Sequence, residues 1–113
     1  MKKSILFTLL FLVTTLTVTA QKSEEEKVME RVNTFVEALE NNAEVTEEEK
    51  SVYIEAKKAQ VITYRKNWKE LKDDKEAMNA KNKEANMTFQ QTLIDALGKK
   101  RAYELVRAGN NKS

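Results

Sequence analysis

Apolar residues recur at helical spacing from about residue 28 to residue 106, and no segment alternates apolar and polar as a strand would. The longest such run is Val45 to Leu71. Tyr53, Ile54, Val61, Tyr64, Trp68 and Leu71 fall in one wide stripe at 100° per residue. Lys57 and Arg65 share the stripe, and their stems are expected to pack while their charges reach water. Val52, Ala56, Ala59 and Ile62 form a weaker second face, which implies two neighbours for this helix. The run opens with a capping box. The Thr46 hydroxyl can accept the N–H of Glu49, and the Glu49 carboxylate can reach back to the N–H of Thr46. Val45 occupies the position of a hydrophobic staple, so the pattern predicts a helix over 46–72.

Upstream, Ser23 can cap a helix over 24–41. Val28, Val32, Phe35, Val36 and Leu39 make its apolar face, and Asn41 and Asn42 suit a left-handed terminator. Downstream, Asp73 and Glu76 form a second candidate capping box, favouring a turn near 72–75. A helix over 75–97 would then return, with Met78, Ala85, Phe89, Leu93, Ala96 and Leu97 as its apolar positions. Yet Val61, Tyr64, Trp68, Leu71, Lys75, Met78, Asn82, Ala85 and Phe89 keep one heptad phase. A single helix over 46–97, about 78 Å long, is therefore an alternative, and it would need a partner chain along its seam. Gly98 breaks the pattern before a last helix over 99–108, with Ala102, Tyr103 and Val106 on one side. Residues 109–113 read as a frayed polar tail. The fold class expected is all-α, a long helical hairpin with a short helix at each end.

The first twenty residues differ in kind. Lys2 and Lys3 precede an apolar core from Ile5 to Val18, and Val18-Thr19-Ala20 offers small or neutral residues before Gln21. That is the pattern of a secretory signal peptide over 1–20, too short to span a bilayer. The expected mature domain is then 21–113, periplasmic or secreted, with no stable membrane insertion after cleavage. Lys2 and Lys3 carry the whole formal charge of +2, so the mature chain is net neutral. Its charge is uneven. Residues 24–55 hold eleven Glu against Lys27, Arg31 and Lys50, and the later residues are mostly basic. A neutral exported chain does not suit nucleic-acid binding.

The chain has neither Cys nor His. That excludes disulfides, thiol nucleophiles and His-based triads. Gly98 and Gly109 are the only glycines, too few for a phosphate loop. Glu24–Glu26 and Glu47–Glu49 stand at helix starts and complement the dipole. Met29, Met78 and Met87 read as core filler. No enzyme, cofactor or metal is expected. Tyr53, Val61, Tyr64, Trp68, Leu71, Met78 and Phe89 are the candidate client-binding or dimer surface.

Val45-Thr46-Glu47-Glu48-Glu49 and Leu97-Gly98-Lys99-Lys100-Arg101, each beside a helix start, resemble the paired Leu-Thr-x-x-Gln motifs of the small periplasmic Spy/CpxP-like proteins. Thr46 and Leu97 match outright. Val45 stands for Leu and Glu49 for Gln in the first copy, Gly98 for Thr and Arg101 for Gln in the second. The resemblance implies a helical hairpin that pairs into a curved homodimer. It also implies an ATP-independent periplasmic chaperone, with unfolded or envelope proteins as clients, or a modulator of envelope-stress sensing. A structural coiled coil that assembles through a long 46–97 helix is the competing expectation.

Overall fold

The computed structural model describes residues 23–111. The segment read as a signal peptide lies outside them. The described chain is all helical, with α1 Glu24–Asn42, α2 Glu47–Leu71, α3 Lys75–Leu97 and α4 Lys99–Asn110. The chain leaves helical hydrogen bonding at residues 72–74, so a single helix over 46–97 does not form.

Each start has a local cause. Ser23 accepts the N–H of Glu26 at the head of α1. Thr46 and Glu49 form the full capping box at the head of α2. Asp74 caps α3 by accepting the N–H of Ala77, one residue later than the Asp73–Glu76 pairing predicts. Gly98 separates α3 from α4 at a φ of 87°, which glycine adopts without a Cβ penalty. The Val45 staple does not form, because the position it would meet is Lys50; Val45 packs against the core instead.

The end of α1 differs from expectation too. Asn42 is still helical and the chain leaves through extended Ala43, with no left-handed residue. The Asn42 amide instead donates to the carbonyls of Ala38, Ala108 and Asn111, which ties α1 to the end of α4.

Helix α2 is the spine. Pairs Asn67–Asn82, Gln60–Asn86 and Tyr53–Phe89 show α3 running antiparallel to it. Ion pairs Glu24–Arg65 and Glu40–Lys50 show α1 running antiparallel along another side. Helices α1 and α3 make little direct contact, while α4 packs on both near the α2 N-terminus. The core collects at that end, around Val32, Leu39, Tyr53, Leu93 and Leu105, each essentially fully buried.

Two apolar assignments shift. On α4 the inward residues are Ala102, Leu105, Ala108 and Gly109, while Tyr103 faces out. Gly109 is buried rather than part of a frayed tail, because the Tyr53 ring lies against it.

Candidate functional site

Because α1 and α3 flank α2 without closing on each other, a groove remains with α2 as its floor. Phe35, Lys27 and Arg31 line it from α1, and Lys57, Tyr64 and Trp68 from α2. Phe89 and Asn86 line it from α3, and its volume is about 970 Å³. Aromatic and aliphatic surface thus alternates with cations, and Glu30 is the lone carboxylate among its lining residues.

Lys57 dominates the floor. Its Nζ lies 4.1 Å from the Phe35 ring centroid, 4.0 Å from that of Phe89 and 5.7 Å from that of Tyr53. It donates to Gln60 Oε1 at 2.6 Å. The residue is 4% exposed, and no carboxylate forms an ion pair with it among the described residues. Burial drives its ammonium down to about 8 from 10.5, with repulsion from Arg31 adding to the shift. The ring faces oppose that shift, since their quadrupoles attract the cation. The expectation that Lys57 carries its charge to water is therefore wrong. The side chain lies between α1 and α3, almost wholly buried at the groove floor.

Gln60 extends the polar line. Its Nε2 donates to Tyr64 Oη at 3.0 Å and to Asn86 Oδ1 at 3.1 Å. Burial raises the Tyr64 hydroxyl, and the Gln60 donor partly offsets it. At the far end, Arg65 and Lys69 both engage Glu24. Those contacts lower the Glu24 carboxyl, the Lys69 hydrogen bond most and the Arg65 bond next.

The seven residues expected to form a client or dimer surface do not stay together. Tyr53, Val61 and Phe89 are buried in the core; only narrow edges of Val61 and Phe89 reach the groove. Tyr53 turns toward α3 and α4, where it meets Phe89 edge to face at 5.7 Å and lies against Gly109. Trp68 is 58% exposed, and Tyr64, Leu71 and Met78 are half-buried. Ile62, Met87 and Tyr103 add exposed apolar surface that the stripe did not include.

The five motif and cap residues separate by role. Thr46 and Glu49 cap α2, Gly98 makes the α3–α4 bend, and Val45 and Leu97 are half-buried against the core. The last residues of the two motif segments, Glu49 and Arg101, pair directly. The lining cations Lys27 and Arg31 were hidden in a segment read as acidic. Their signal was one of phase, since both fall on the α1 side that turns toward α2.

Among the described residues no cluster of His, Cys, Asp and Glu could hold a metal ion. No described helix is long and apolar enough to cross a membrane. Comparison with known families, characterised proteins and solved structures finds no match to this chain.

Proposed function

We propose that this protein is an exported helical hairpin that holds unfolded envelope proteins without nucleotide, as a chaperone or an envelope-stress adaptor. The observation that carries this reading is the open groove, in which exposed Trp68 and half-buried Phe35 and Tyr64 stand among Lys27, Arg31, Arg65 and Lys69. Such a surface gives weak, sequence-tolerant attraction to chain segments that expose apolar side chains near acidic ones. The α2–α3 pair is the hairpin of this reading, with α1 and α4 as its flanking helices. The Glu49–Arg101 contact supports it further, because it brings both motif segments to one end of the hairpin.

Homodimerisation belongs to the same proposal, with Trp68, Leu71, Met78 and Ile62 as the surface that a second copy would cover. The competing idea of an extended coiled coil loses its main support where the helix stops at Leu71.

Purified residues 21–113 should slow aggregation of a thermally unfolding client at equimolar ratio, without ATP. Trp68→Ser together with Ile62→Ser should weaken that effect. Unchanged client aggregation at equimolar protein would sink the proposal. Sedimentation of the same sample should report a compact dimer rather than a rod.

A further inference from the structure

We propose that the groove is a binding site for an alkyl carboxylate, with the carboxylate on Lys57 Nζ and the chain lying along α2 toward Trp68. This does not rest on the holding activity proposed above.

The head site follows from the state of Lys57. An ammonium has three donors. One goes to Gln60, and the others meet ring faces with no oxygen acceptor among the described residues. A cation this buried is ordinarily matched by an anion. Around it stand Arg31 and Lys27 at the groove wall, with Arg65 and Lys69 further along. The two far cations are already engaged by Glu24, while Lys57 has no carboxylate partner among the described residues. A ligand carboxylate would supply that missing partner, and charge-assisted hydrogen bonds are the strong ones.

The body site follows from shape. Lys57 and Trp68 are eleven residues apart on one helix, about 16 Å at the helical rise. Val61, Tyr64 and Phe35 line the path between. This is longer than a single aromatic ring, and apolar side chains are spread along it among the polar groups of Gln60 and Asn86. It therefore fits an extended alkyl chain better than an aryl acid. The groove volume of about 970 Å³ lies at the upper end of the usual range for small-ligand sites.

The single tryptophan is Trp68, so its fluorescence reports occupancy without a label. Residues 21–113 should be titrated with sodium decanoate, 1-decanol, indole-3-acetate and a short Glu-rich peptide, each below its aggregation threshold. Decanoate should bind about tenfold more tightly than decanol, the difference that one buried charge-assisted contact supplies. Lys57→Met should remove that preference. Lys27→Ala should change decanoate affinity by no more than about twofold, as a rim charge does. Equal binding of decanoate and decanol by the unaltered protein would overturn the proposal, whatever the variants do. So would tighter binding of the aryl acid or the peptide than of decanoate, or full decanoate affinity in a Lys57→Met protein with native helicity. Decanoate binding by a chain that fails to slow client aggregation would refute only the holding activity.

Discussion

Arg101 grips both carboxylate oxygens of Glu49, with Nε on Oε2 at 2.7 Å and Nη2 on Oε1 at 2.9 Å. The same carboxylate accepts the N–H of Thr46, and Arg101 also donates to the carbonyl of Glu44 and to Glu104. One residue thereby fastens the start of α4 to the start of α2 and to the link before it. The Arg101 hydrogen bonds hold the Glu49 carboxyl down to about 2, with the Thr46 backbone bond next in weight.

That depression sets an acid limit. A carboxyl lowered on folding contributes stability that is present above about 4.5 and is lost as pH falls toward 2. Glu49→Gln keeps an acceptor for the Thr46 N–H but loses the charge. It should be less stable than the parent at pH 7 by about 1 kcal/mol, since the pair is only partly buried. The difference should vanish near pH 2. Urea unfolding at the two pH values measures both.

Gly109 and Tyr53 are a second coupled pair. A Cβ at Gly109 would overlap the Tyr53 hydroxyl and sit 2.9 Å from Cζ. Gly109→Ala should therefore destabilise by about 1–3 kcal/mol, as overpacking does. The Tyr53 hydroxyl is buried and has no hydrogen-bond partner among the described residues. Tyr53→Phe should be neutral or stabilising, and it should recover part of the Gly109→Ala loss. A double-mutant cycle on thermal unfolding gives the coupling.

Two buried groups shape the alkaline limb in opposite senses. The Lys57 ammonium titrates lower in the folded chain than in the unfolded one, so between about 8 and 10.5 the unfolded state binds more protons. Stability should rise across that window. Burial raises the Tyr53 hydroxyl, so above about 10 the unfolded state loses a proton that the folded state keeps. Stability should then fall. The expected profile has a maximum near pH 10. Lys57→Met should be more stable than the parent at pH 7 by about 1–2 kcal/mol and should lack the rise. Guanidinium unfolding from pH 7 to 11 traces the profile.

Asn67 is buried, and its Nδ2 donates to Asn82 Oδ1 at 3.0 Å across the α2–α3 seam. Asn82→Ala strands that amide and should be destabilising by about 1–2 kcal/mol. Asn67→Leu with Asn82→Leu should instead be more stable and should associate further, because an apolar seam no longer specifies one partner or register. Size-exclusion chromatography with thermal melts separates the two outcomes.

Local signals located most of the helices. Thr46 with Glu49, Ser23 with Glu26, and Gly98 act within a few residues, so their chemistry is written in short strings. The turn at 72–74 was harder, because the heptad phase of Val61 through Phe89 runs through it unbroken. Asp74, not Asp73, caps α3 there, a choice that neighbouring residues alone leave open.

The groove was legible only in part. Trp68 and Tyr64 belong to an evident stripe, but the stripe does not say which of its members other helices will cover. Periodicity reports that a face is apolar, whereas exposure depends on what packs against it. Lys57 looked like a surface lysine with a buried stem, and only α1 and α3 together put its ammonium between Phe35 and Phe89.

The chain by itself determined the helical class, the caps that begin its helices and the absence of thiol and imidazole chemistry. These depend on residue identity and near-neighbour spacing. Only the tertiary structure decided that α1 and α3 stand apart on α2, that Tyr53 and Phe89 are core, and that the Lys57 ammonium sits between the Phe35 and Phe89 rings. Those outcomes come from contacts between residues 20 to 50 positions apart, which no local period encodes.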